Sequence, residues 1–156
     1  MNQAPDGKIR RLLSGEHIPY DLLLLADETI EAIEGYIHES EIYVIENEER
    51  FIGVCVLQPV DSSVIEIMNI AVDREYQGQG IGHSLLSDAI RRAGEMGYSE
   101  IIIGTGDMAT RQISLYESVG FQKYGIRKDF FPEKFPDPIF EDGEQLRDMV
   151  MLKKVL

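Results

Sequence analysis

The chain has 156 residues, of which 28 are acidic and 15 are Lys or Arg, giving a net charge of −13 with 44% apolar residues and one cysteine. That charge works against a nucleic-acid backbone as partner, and a lone cysteine excludes an internal disulfide framework. No apolar run approaches the roughly 20 residues that a membrane span needs. One domain over residues 1–156 is expected, in a reducing, cytoplasmic compartment and away from membranes.

Residues 1–7 read as a loosely held start and residues 8–14 as a short first strand. Pro19 suits the first turn of a helix over residues 20–26. Asp27 is expected to cap a second helix, in which Ile30, Ile33 and Ile37 recur on one face. Two β-rich runs, residues 41–46 and 50–57, flank the turn Asn47-Glu48-Glu49, and Cys55 sits in the second as buried filler. A third long strand, residues 64–72, leads through a polar link to Gly78, Gly80 and Gly82. A helical pattern then runs to Gly97, with Ile81, Leu85, Leu86, Ala89, Ile90 and Ala93 on one face. Residues 101–104 form a buried strand, and residues 110–119 a second amphipathic helix stopped at Gly120, the usual residue for a left-handed C-cap. Residues 121–130 read as extended, 131–143 as a long aromatic and acidic loop, and 146–152 as the final strand. The order β-α-α-β-β-β-α-β-α-β-β is α+β with a mixed central sheet.

The glycine stretch is the most informative part. A strand, a glycine-rich turn and a helix N-terminus together make an anion site, because the turn's N–H groups lack internal partners and the helix dipole favours negative charge. A phosphate-bearing ligand is the inference. A Walker loop fails, since His83-Ser84 stands where Lys-Ser or Lys-Thr is required. A dinucleotide fingerprint fails at its third glycine, the spacing here being G-x-G-x-G with His83 following.

Gln77-Gly-Gln-Gly80-Ile-Gly82 resembles the Q/R-x-x-G-x-G/A motif of the GCN5-related N-acetyltransferase (GNAT) superfamily, which binds acetyl-CoA. Glu66-Ile-Met-Asn-Ile-Ala-Val is similar to that family's fourth strand and residues 101–104 to its fifth. Leu115-Tyr116-Glu-Ser-Val-Gly120-Phe121 resembles its closing signature. The resemblance spans roughly residues 64–122. It implies a single-domain fold with a mixed sheet of about seven strands and about four flanking helices, strands 4 and 5 splaying apart to hold CoA.

By that resemblance, backbone groups of Ile70, Ala71 and Val72 pair with the pantetheine amides. The backbone of Gln77, Gly78, Gln79, Gly80, Ile81 and Gly82 holds the pyrophosphate. Tyr116 is the candidate general acid for the leaving thiolate, and Glu66 the candidate general base for the acceptor amine. Regular strand alternation puts Glu66 on the face of Met68, Ile70 and Val72, with Asn69 opposite. The chain departs from the family where Thr110-Arg-Gln-Ile113 replaces a frequent N-x-x-A element; Thr110 or Gln112 is left to supply that contact, and Arg111 is a speculative 3′-phosphate partner. His17, His38 and His83 make no ligand pattern, so no metal is expected.

The implied activity is transfer of acetyl from acetyl-CoA to a primary amine, on a small molecule or a peptide, by direct attack in a ternary complex. The alternative is a non-catalytic acyl-CoA sensor on the same fold. Glu28, Glu31, Glu34 and the loop over residues 130–142 are candidate acceptor lining by charge and cation–π contact. The same surface also suits a homodimer edge.

Overall fold

A computed structural model describes residues 8–141 and 143–156. The expected loose start at residues 1–7 lies outside them. The chain runs β1 (Ile9–Arg11), α1 (Tyr20–Leu23), α2 (Ile30–Glu34), β2 (Glu41–Asn47), β3 (Arg50–Pro59), β4 (Val64–Val72) and α3 (Ile81–Glu95). It continues through β5 (Glu100–Gly106), α4 (Thr110–Ser118), β6 (Gln122–Arg127), α5 (Phe130–Lys134), β7 (Phe140–Glu141), β8 (Glu144–Gln145) and β9 (Met149–Val155). As expected, seven strands form one mixed sheet; their order is β1-β2-β3-β4-β5-β9-β6, and β7 and β8 make a separate ribbon.

Four local expectations are corrected. Thr29, not Asp27, caps α2: its side chain accepts the Ala32 N–H, at 3.1 Å. Asp27 instead accepts the N–H of Glu28 at 2.9 Å and the Tyr36 hydroxyl at 3.0 Å. The stretch expected to be only loop contains α5 and the β7–β8 ribbon, because Phe131 and Phe135 bury against Leu146 as a small core of their own. The last strand starts at Met149 rather than 146. The residues just before it are occupied elsewhere, the Arg147 carbonyl accepting from Phe131 N–H and the Asp148 carboxylate from Asp129 N–H.

The fourth correction concerns β4, which does not alternate evenly. It pairs antiparallel with β3, but Val56 faces Asn69 while the next residue, Leu57, faces Ile67. Met68 is therefore an extra residue, a bulge that reverses the phase of the strand. Ile65, Ile67, Ile70 and Val72 all join the core under α3. Asn69, instead of opposing Glu66, points with it to the other face, where it meets α1 and Tyr36.

The bulge coincides with a parting of the sheet. β4 and β5 run parallel and pair from Val64↔Glu100 to Ile67↔Ile103, and no farther. Beyond that point β5 stays with β9 through Gly104↔Met151 and Gly106↔Met149, while β4 stays with β3. The β5 glycines leave room for side chains packed over them: an added Cβ at Gly104 would sit 2.5 Å from Met149 Sδ, and at Gly106 2.6 Å from Leu146 Cδ1.

Each face of the sheet carries its own core. On one side α3 lays down Ile81, Leu85, Leu86, Ala89 and Ala93, the stripe expected from its period, with Ile90 packed at the margin. Cys55 lies in this core, and burial pushes its thiol up to about 12, so it stays protonated filler. On the other side Leu22, Leu23, Ile33, Tyr36 and Ile37 cover β2 and β3. Leu86 is fully buried between α3 and the sheet. Its replacement by Ala is expected to lower unfolding free energy by about 2–5 kcal/mol, read from urea titration.

Candidate active site

The parting strands open a cleft of about 850 Å³. Ile70, Ala71 and Val72 line it, hydrogen-bonded to β3 on one side only. In an antiparallel pair alternate residues turn N–H and C=O away from the partner. The inner edge of β4 thus presents backbone groups to the cleft in the geometry of a missing strand, the Val72 carbonyl being met by a side chain of the following loop.

At the end of β4 the glycine loop closes one end of this opening. Gly78 and Gly80 have φ of +79° and +86°. A side chain at Gly80 would meet nothing within 4 Å, so the requirement there is conformational. Gly80 is the N-cap of α3 and supplies no side-chain cap. The first intrahelical bond runs from Ser84 N–H to the Gly80 carbonyl at 3.0 Å. The N–H groups of Ile81, Gly82 and His83 precede it and stay unused by the helix. The loop is held from below, since Gln77 Nε2 donates to the Val72 carbonyl at 3.0 Å and Tyr76 accepts from Asn47 Nδ2 at 2.8 Å.

Of the loop residues named from sequence, Gln77, Gly78, Gly80, Ile81 and Gly82 line the cleft, and Gln79 does not. The Gln79 Oε1 is buried and has no hydrogen-bond partner among the described residues.

Tyr116 reaches the cleft from α4, and the end of that helix explains its position. Phe121 N–H donates to the Tyr116 carbonyl at 3.1 Å and Gly120 N–H to that of Glu117 at 3.1 Å, with Gly120 at φ +102°. These two bonds make a Schellman motif, whose usual hydrophobic contact is here the Tyr116–Phe121 ring pair, 6.2 Å between centroids. Tyr116 is 5% exposed, and burial raises its phenol above the ordinary value, keeping it protonated at neutral pH. Arg111 and Gln112 from the same helix line the cleft, whereas Thr110 does not.

Residues 9–121 match the family model described as Acetyltransferase (GNAT) family. The chain belongs to this family. It is 41% identical over 133 residues to an uncharacterized N-acetyltransferase, YvbK, of Bacillus subtilis (strain 168), covering 85% of this chain and 86% of that one. Human N-acetyltransferase 8B is 31% identical over 112 residues, of which the match spans 49% of its length. A GNAT family acetyltransferase from Elizabethkingia anophelis, solved with acetyl-CoA bound, superposes with a TM-score of 0.94 at 42% identity, covering 97% of this chain and 99% of that one. A Bacillus subtilis acetyltransferase in complex with CoA gives 0.86 at 39% identity, covering 96% and 99%.

In this GNAT cleft Glu66 stands on β4 just before the bulge, lining the opening with Tyr116. Burial raises its carboxyl above the ordinary value, and Arg127 and Lys134 act in the opposite sense. Neither cation could be foreseen as its neighbour, because β6 and α5 reach Glu66 only through tertiary packing. Tyr36, Asp27 and His83 also line the cleft and were not read as site residues from sequence. Tyr36 is a buried core residue as well as a lining one, and its hydroxyl reaches Asp27 and Asn69 only through packing of α1 and β4. Among the described residues no group of three metal-ligating side chains comes together, and no helix is long and apolar enough to cross a membrane.

The raised Glu66 carboxyl has a stability consequence. The folded state binds its proton more tightly than the unfolded chain, so the associated stability is complete below the ordinary value of 4.5 and is lost as pH rises through the higher folded value. Glu66→Gln is therefore expected to be at least as stable as wild type at neutral pH, with its relative advantage shrinking on acidification. Urea unfolding at neutral and mildly acidic pH reads this directly.

Proposed function

We propose that this chain binds acetyl-CoA along the open edge of β4 and transfers its acetyl group to a primary amine by direct attack in a ternary complex. The observation that carries the reading is the Ile70–Val72 edge, which no strand pairs on its β5 side, running into the uncapped N-terminus of α3, with Tyr116 lining the same cleft. The acetyl-CoA bound to the 42% identical relative supports it. In this arrangement the pantetheine amides complete the missing strand, and the pyrophosphate takes the free N–H groups at Gly80–His83. Arg111 supplies a cation on the same wall.

The amine nitrogen attacks the thioester carbonyl carbon to give a tetrahedral oxyanion. Collapse of that species breaks the C–S bond, and the departing sulfur takes the Tyr116 phenolic proton. Burial holds the Tyr116 phenol protonated, so the proton is in place when thiolate develops. The amine's proton leaves toward Glu66, directly or through one water. An acceptor with pKa near 10.4 is only about 0.04% free base at pH 7, a handicap of roughly 4–5 kcal/mol. A carboxylate shifted upward by burial is a stronger base for removing it than an exposed one.

Acetyl-CoA at about 100 times its dissociation constant should add about 2.7 kcal/mol of stability, seen as a higher melting temperature. Absence of any shift would remove the donor site. With an amine panel and a thiol-release assay, Tyr116→Phe is expected to lower kcat by about 10²-fold, leaving acetyl-CoA affinity by calorimetry unchanged. Undiminished turnover would take Tyr116 out of the mechanism.

A further inference from the structure

The chain carries six lysines, all of them among the described residues, and one stands in the cleft. Lys134, the last residue of α5, shares the lining with Glu66 and Tyr116. Lys8, Lys123, Lys128, Lys153 and Lys154 do not line it. The Lys134 charge acts on the Glu66 carboxyl, so the two side chains lie within electrostatic reach of each other. Ten ion pairs form among the described residues, and none of them engages Lys134. A primary amine, the group on which acetyl transfer acts, is thus built into the wall beside the candidate base.

What holds that amine is weak and conditional. Lys134 Nζ lies 5.1 Å from the Phe130 ring centroid and 5.9 Å from that of Phe135, and both rings line the cleft. The attraction is that of a cation for a ring face. Loss of the proton cancels it, so the nitrogen is released from the rings as it becomes nucleophilic. The backbone beneath is fixed: Phe131 and Phe135 bury against Leu146, and Phe131 N–H donates to the Arg147 carbonyl at 3.0 Å. Motion is therefore left to the flexible four-carbon stem. Space exists for it, because a second cavity of about 490 Å³ is lined by Glu28, Lys134 and Phe135, which the cleft also shares. The Lys134 stem stands between two openings.

We propose that Lys134 is a self-acetylation site: with acetyl-CoA bound and no other amine in the cleft, its Nζ takes the acetyl group in cis. This goes beyond the acetyl-transfer reading and rests on it for the chemistry. The deprotonated Nζ attacks the thioester carbonyl carbon, a C–N bond forms, the C–S bond breaks and CoA leaves as the thiol. Of the two protons that the ammonium gives up, one replaces the proton that Tyr116 passes to sulfur, and the other leaves through Glu66 to solvent. At pH 7 only about 0.04% of such an amine is free base, but attachment to the same chain substitutes a held nucleophile for a diffusing one. The event happens once per chain, because the amide nitrogen formed is no longer nucleophilic. It also removes the Lys134 charge from beside Glu66.

The test incubates the full chain with acetyl-CoA and no added amine, then follows each lysine by peptide mass spectrometry. Lys134 is expected to gain acetyl at least about tenfold faster than any other lysine, at a rate independent of protein concentration. Tyr116→Phe should slow that labelling by about 10²-fold and leave the slow chemical labelling of Lys123 and Lys153 unchanged. In urea the preference for Lys134 should vanish. Lys134→Arg, which keeps the charge, should show no dominant site while its acetyl-CoA affinity by calorimetry stays that of wild type. Labelling of Lys134 no faster than of the other lysines, or a preference that survives in urea or in Tyr116→Phe, overturns the proposal. If amines of the panel are acetylated in that case, the transfer reading stands without it. Selective labelling of Lys134 with no amine of the panel acetylated upholds the self-acetylation site and removes transfer to free amines. Absence of acetyl-CoA binding overturns both.

Discussion

The site depends on one extra residue. Met68 has no register partner in β3, and the bulge it makes falls where β4 leaves β5. A parallel pair that stayed zipped to Val72 would satisfy every backbone group and leave no cleft. Here the β4 edge is freed over the residues leading into the glycine loop, and the sheet remains whole because β3 keeps β4 and β9 keeps β5. The opening is thus compatible with a stable sheet. Hydrogen bonding is merely withheld on one edge, where a ligand carrying amides can restore it.

The same bulge reorients the chemistry. By reversing the alternation, it turns Ile70 and Val72 into the core under α3 and turns Asn69 toward α1 and Tyr36. One strand therefore serves the cleft in two ways: its inner edge borders the opening that β5 leaves, and Glu66 and Asn69 line it from the far face. Two helix ends complete it. The start of α3 is left uncapped with a left-handed glycine, which preserves N–H groups for an anion. The end of α4 is fully capped by a Schellman motif, which locks Tyr116 against Phe121. An anion-binding helix start needs unsatisfied donors, and the Schellman turn gives Tyr116 a rigid base.

The electrostatic layout divides along the cleft. Free N–H groups lie where α3 begins, with Arg111 on the cleft lining, and Asp27, Glu28, Glu66 and Glu141 line the cleft together with Arg127 and Lys134. The chain's net charge of −13 reveals nothing of this division. Many of its acidic groups are spent on exposed pairs such as Arg91 with Asp88 and Glu95, which contribute little.

Much of the fold was legible because its signals are local. The α3 stripe follows from a 3.6-residue period, the stop at Gly120 from a left-handed C-cap, and the anion loop from glycines ahead of a helix. The motif resemblance rests on those same short spacings. What sequence could not carry is contact between segments distant in the chain. Even alternation put Asn69 on the wrong face, since nothing in Ile-Met-Asn-Ile announces a bulge that depends on register with β3. Asp27 and Thr29 are equally good caps by residue type, and only the packing of Ile33 and Tyr36 selects where α2 begins. Arg127 and Lys134 come to Glu66, and Glu141 to Glu28, through β6, α5 and the β7–β8 ribbon. The sequence by itself determined the glycine loop and the capping turns, which are built from neighbouring backbone groups; tertiary structure alone decided the opposite wall of the cleft, whose side chains converge only when the sheet and its aromatic loop are packed.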